Sequence, residues 1–206
     1  FFGNSGSDAN DTHIKLLRYY FNAIGRPEKR KIITRERAYH GVTVAAGSLT
    51  SLPANLAHFD APLEALGILR TDHPHYYRGA QGDESEDQFV ERITGNLETL
   101  IQEEGPETIA AFVAEPVTGA SGVIVPPAGY YEKVKDWVLG KYGYFVCGAS
   151  LKMDTISKYS DDLGANGLKS SRFLIVLFMI SFILGFLGSA NMLLFPNALL
   201  PLSDLP

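Results

Sequence analysis

The stretch GPETIAAFVAEPVTGASGVIVPPAGYYEKV, residues 105–134, decides the fold class. Ile109 to Ala114 is a continuous apolar run of strand length. Such a run, rather than an alternating one, is expected of a strand covered on both faces. Gly105-Pro106 precedes it as a breaker, and Gly129 to Leu139 follows as a predicted helix. Glu115-Pro116 stands at the predicted carboxyl end of the strand. In open α/β sheets ligands bind at that end, so a Glu there is well placed, although a solvent-facing strand-end Glu fits the sequence equally. Gly119-Ala120-Ser121-Gly122 reads as a turn.

Working outward, helix and strand signals alternate. Asp8 to Ile24 reads as a helix with Ile14, Leu17, Phe21 and Ile24 on one face. Ser5 or Ser7 is suited to cap its start, and Gly25 then Pro27 end it. Lys31 to Thr34 is a short strand, and Ser85 to Glu104 a helix burying Phe89, Ile93, Leu97, Leu100 and Ile101. Tyr144 to Cys147 is a further strand. This order predicts an α/β fold with a mostly parallel sheet.

Composition adds limits. The chain has 206 residues and a net charge of −5, which argues against nucleic acid as the main partner. Its one cysteine, Cys147, excludes an internal disulfide and a multi-cysteine zinc site, and fits a reducing, cytoplasmic setting. Asp72-His73-Pro74-His75-Tyr76-Tyr77-Arg78 places two histidines around a proline, which is poor zinc spacing, and a loop role is expected. No metal is predicted. The sequence opens at Phe1 without Met or a signal-peptide pattern and is expected to be cut from something longer.

Charge is unevenly spread. Of 41 charged residues only Asp204 lies beyond Arg172. Phe173 to Phe195 runs 23 residues without a charge, 18 of them apolar, behind Lys169 and Arg172. By length and composition it is a candidate transmembrane segment. Two unlike pieces are therefore expected.

Three features suggest a ligand. Asn4-Ser5-Gly6-Ser7-Asp8 is a Gly/Ser loop running into a helix, which suits a phosphate and equally suits an ordinary cap. Tyr39-His40-Gly41 offers an aromatic to stack on a planar ligand, against a plain turn tyrosine. Glu115 is the third.

Together FFGNSGSDANDTHIKLLRYY, GRPEKRKIITRERAYHGVT and the stretch at 105–134 resemble the class III pyridoxal-phosphate aminotransferases, in consistent order over residues 1–147. DHPHYYR and EGPETIAAFVAEPV resemble the pyruvate-dependent 4-aminobutyrate and ω-amino-acid enzymes of that family. The resemblance implies part of the large domain of an aspartate-aminotransferase-like fold, a homodimer, and transfer of an amino group from an ω-amino acid or amine to a keto acid such as pyruvate. It implies that Gly6 and Ser7 hold the cofactor phosphate, that Tyr39 stacks on the pyridine ring, that His40 and Gly41 complete that loop, and that Glu115 lies beside the ring.

The resemblance stops at Cys147. Gly148 stands where the family's pyridine-pairing Asp is expected, and none of Lys152, Lys158 or Lys169 sits in a motif matching the cofactor-bonding lysine. The family's small domain and amino-terminal segment are also missing from the sequence. No catalytic residue is assigned, and the chain alone is expected to be inactive. Residues 148–206 are expected to be a non-family tail: an out-of-frame or mis-spliced product, a genuine anchor at 173–195, or a buried segment. A membrane-tethered interaction protein without catalysis is the alternative function.

Overall fold

The computed structural model describes residues 3–137, the backbone of 144–147 and that of 192–193. Helix α1, Gly6–Ala23, starts on Ser5, whose Oγ accepts the Asp8 N–H at 3.1 Å. It begins two residues before the predicted start, because Ser5 rather than Ser7 is the cap. Its end is fixed by Gly25, at φ +71°, with the Arg26 N–H donating back to the Phe21 carbonyl at 2.7 Å. That left-handed residue and back-bond close off carbonyls that would otherwise be orphaned. Ile14, Leu17 and Phe21 form the buried stripe.

Strand β1, Lys31–Arg35, leads through a turn to two short helices, α2 at Val44–Leu49 and α3 at Pro53–Leu56. Strand β2, Ile68–Thr71, and the short helix α4, Tyr76–Gly79, come next. Helix α5, Glu86–Glu104, starts with a reciprocal box between Ser85 and Gln88. Strand β3, Ile109–Ala114, helix α6, Tyr130–Trp137, and strand β4, Tyr144–Cys147, complete the alternation, and β5 is only Met192–Leu193. Positions 138–139 of the predicted last helix lie outside the described residues. The sequence predicts no strand at β2: Gly67 turns sharply before it at φ +62°, and only Ile68 and Leu69 of its four residues are apolar, both half-buried.

The sheet order is β2-β1-β3-β4-β5, with the first four strands parallel and β5 antiparallel to β4. β3 is central and buried along its whole length. Its side chains alternate between two cores, as strand geometry requires. Phe112 and Ala114 join Phe89, Val90, Ile93, Leu97 and Ile101 of α5 and Val134 of α6 on one face. Ala111 and Val113 meet Ile14, Leu17 and Phe21 of α1 and Leu49 of α2 on the other. Each such large side chain contributes about 1.5–3 kcal/mol on burial. Helices thus cover both faces, as the unbroken apolar run of β3 predicts.

Residues 173–195 lie outside the described residues apart from Met192 and Leu193, whose backbone pairs with Val146 and Cys147 of β4. Among the described residues no helix is long and apolar enough to cross a membrane. Gly148, Lys152, Lys158 and Lys169 also lie outside them.

Candidate functional site

The start of α1 and the carboxyl ends of β1 and β3 converge. The chain enters α1 from one end of the sheet and returns along β1, so the helix start faces the strand's carboxyl end. Direct bonds tie them together. The Val42 N–H donates to Ser7 Oγ at 3.0 Å, and the Asn10 side-chain amide donates to the His40 carbonyl at 2.5 Å. Asp11 accepts from Thr43 Oγ1 at 2.7 Å and from the Ala46 N–H at 2.9 Å.

Gly41 makes this approach possible. It lies at φ +135°, and a Cβ there would stand 2.6 Å from Ser7 Oγ and 2.9 Å from Ala46 Cβ. Ser7 therefore sits in space that any other residue at 41 would fill. Its Oγ accepts from Val42 on one lone pair, which keeps its own hydrogen for a ligand. The Asp8 carboxylate is turned back to the Asn4 N–H at 3.0 Å. A helix start with its dipole and a serine hydroxyl that has a hydrogen to donate suits a phosphate monoester, so these residues fit pyridoxal phosphate at its phosphate end.

Tyr39 is 37% exposed, so its ring has a face for a ligand. Its backbone N–H donates to Glu115 Oε1 at 2.9 Å, while the Gly119 N–H donates to Glu115 Oε2 at 2.8 Å. One carboxylate thus joins the loop after β1 to the turn after β3. Burial pushes the Glu115 carboxyl up from its ordinary value, and the two amides and Arg35 pull against that shift.

His40 is buried, with its backbone N–H donating to Thr50 Oγ1 at 2.9 Å and its ring Nε2 unpartnered. Burial first, then Arg35 and Arg70, pushes the imidazole down to about 3. It is neutral in the fold, whereas the unfolded chain takes up a proton near 6.5. Below that pH the unfolded state binds more protons, so stability falls with acidification until the native imidazole also titrates. The expected loss is about 2 kcal/mol between pH 6.5 and pH 5, one protonation's linkage over that range. Glu115, raised in the fold, acts in the opposite sense. Urea unfolding of wild type and His40→Gln across this range isolates the histidine. Equal pH slopes in the two would contradict its neutral burial.

All five sequence-predicted residues, Gly6, Ser7, Tyr39, His40 and Glu115, lie on these converging segments. Sequence reading missed their supports. Arg35 is fully buried and Arg70 donates to Thr34 Oγ1 at 2.7 Å and to the Ser48 and Thr50 carbonyls at 2.6 and 2.8 Å. The only available signal was a charge at the end of each short apolar strand. His73 and His75 stack edge to face at 5.8 Å, and no group of three or more potential metal ligands occurs among the described residues.

The described residues thus form an α/β protein with a doubly covered parallel sheet, with a helix start, an exposed aromatic and a buried acid gathered at the carboxyl ends of its strands. The chain belongs to the aminotransferase class-III family, whose model matches residues 1–146. It is 56% identical over 142 residues to gamma aminobutyrate transaminase 3, chloroplastic, of Solanum lycopersicum, covering 69% of this chain and 27% of that protein. Probable gamma-aminobutyrate transaminase 2, mitochondrial, of Oryza sativa subsp. japonica is 55% identical over the same length, covering 69% and 28%. Among solved structures, a transaminase with L-ala superposes at TM-score 0.68 and 55% identity, covering 70% of this chain and 33% of that one. The omega transaminase from Pseudomonas jessenii in complex with PMP gives TM-score 0.64 at 53% identity, covering 66% and 30%. The chain thus spans about a quarter of the length of these curated relatives.

Proposed function

We propose that this chain is the cofactor-holding part of a transaminase that moves an amino group from an ω-amino acid, such as 4-aminobutyrate, to a keto acid such as pyruvate. The observation that carries the reading is the lock between Gly41, Ser7 and Val42 at the start of α1. Gly6 and Ser7 would hold the phosphate of pyridoxal phosphate, Tyr39 its ring, His40 and Gly41 the loop between them, and Glu115 the ring's edge. When bound, the cofactor supplies an electron sink for the substrate carbon. The chain's own residues bind and orient it. The relatives named as gamma-aminobutyrate transaminases support the substrate class.

The family domain is proposed to end at 147, with 148–206 outside it. A reducing, cytoplasmic setting is the compartment favoured by the single cysteine, whereas the named relatives are chloroplastic and mitochondrial. A second copy is the proposed partner for the loop at 42–44, where Val42 and Val44 are 70% and 64% exposed. A sedimentation coefficient that rises with concentration supports that pairing, and one that stays flat rejects it.

Amide spectra recorded while pyridoxal phosphate is added test the site. Shifts confined to Gly6, Ser7, Tyr39, Gly41 and their neighbours are expected. Perturbation elsewhere, with these residues still, would overturn the assignment. Borohydride treatment of the mixture is expected to leave no lysine stoichiometrically linked to cofactor, and no amino transfer is expected from this chain. Stoichiometric labelling of Lys152, Lys158 or Lys169, with turnover, would show that the site is complete after all.

A further inference from the structure

Arg35 lies at the carboxyl end of β1 with none of its surface exposed. One guanidinium nitrogen donates to the Glu115 carbonyl at 2.6 Å and to Thr118 Oγ1 at 3.2 Å. The other donates to the Tyr131 hydroxyl at 2.9 Å, and that hydroxyl donates in turn to the same Glu115 carbonyl. The Tyr130 and Tyr131 rings of α6 lie on one side of the cation, with centroids at 6.0 and 5.9 Å. Three elements therefore meet on one side chain: β1, the turn after β3, and α6.

The pattern is unusual for a core arginine that only fills space. Burying a guanidinium is costly unless its donors are used. Here both Nη groups are engaged at the turn that carries the candidate acid and at Tyr131, while the Nε–H is buried without a partner. The backbone of Glu115 is gripped from one side by Arg35 and Tyr131. Its carboxylate then reaches the other way, to the N–H groups of Tyr39 and Gly119. We propose that Arg35 is a positioning residue for the site: it clamps the Glu115–Thr118 turn through the Glu115 carbonyl and so aims the Glu115 carboxylate at the backbone of Tyr39 and Gly119. The proposal rests on the transaminase reading only for the identity of what the site holds. Burial first, and then the fixed charge of Arg35, disfavours His40 and His73 as cations.

The clamp predicts a coupling that general stability does not. In the full chain, the Glu115 carboxyl is followed by carbon-13 NMR while the Tyr39 and Gly119 amides are followed by nitrogen-15. In wild type both amide shifts are expected to track the Glu115 titration. In Arg35→Met the Glu115 midpoint moves higher, as loss of a nearby cation requires, and the Gly119 amide stops tracking it. Arg35→Lys keeps a charge but not the two-armed grip. Its midpoint is expected near that of wild type, with the Gly119 amide still uncoupled.

Unchanged coupling at Gly119 in Arg35→Lys overturns the clamp, even where Arg35→Met is too unstable to study. The Glu84 carboxyl, paired with Arg92, serves as a control that a clamp variant leaves unmoved. A wild-type chain that shows the coupling but binds no pyridoxal phosphate would reject the cofactor reading and leave the clamp standing. Binding with unchanged coupling in the variants would do the reverse.

Discussion

Gly41→Ala is expected to destabilise the chain by about 3 kcal/mol and to abolish binding at the helix-start cradle. Two costs add. The residue lies at φ +135°, where a side chain is strained by about 1–3 kcal/mol. Its Cβ would also stand 2.6 Å from Ser7 Oγ and 2.9 Å from Ala46 Cβ, and relieving such crowding costs about 1–3 kcal/mol. The cheapest relief pushes Ser7 outward, which breaks its bond from the Val42 N–H and moves the hydroxyl from the cradle. The urea midpoint measures the first effect and a cofactor titration the second. A variant with wild-type midpoint and wild-type binding would mean that Gly41 is only a turn residue.

Glu115→Ala has the second large effect. Its carboxylate takes the N–H groups of Tyr39 and Gly119, both part-buried, and each orphaned donor costs about 1–3 kcal/mol where water cannot reach it. Removing a buried charge returns part of that, since burial already pushes the carboxyl up. The net loss expected is about 3 kcal/mol for alanine and about 1–2 kcal/mol for glutamine, which retains one acceptor oxygen. Hydrogen exchange at the Tyr39 and Gly119 amides should accelerate more than exchange at Ile33 or Phe112. Uniform acceleration would assign Glu115 a general structural role rather than a latch between two loops.

How much of this was legible in the sequence differs by element. The central strand announces itself because an apolar run over Ile109–Ala114 has one physical use, burial on both faces. Helices α1 and α5 announce themselves through period and caps. Strand β2 does not, because an edge strand of four residues has one neighbour and needs little apolar surface. At the site, Ser7, Tyr39 and Glu115 are visible as residue types at strand and helix ends. What holds them there is not. Asn10 reaches His40 across 30 positions, and Arg35 reaches Glu115 across 80. No local pattern encodes such pairings. They follow only from the parallel order that brings the ends of β1 and β3 together.

The central claim is that residues near Ser7 and Gly41 bind a phosphate-bearing pyridine cofactor. Calorimetric titration of pyridoxal phosphate, and separately of pyridoxal, into the full chain and into Ser7→Ala tests it most directly. Saturable binding is predicted for pyridoxal phosphate and weaker binding for pyridoxal; in Ser7→Ala the affinity for pyridoxal phosphate is predicted to fall toward that for pyridoxal, which stays as in wild type. Equal affinity for the two ligands in wild type, or no heat at millimolar cofactor, would contradict the account.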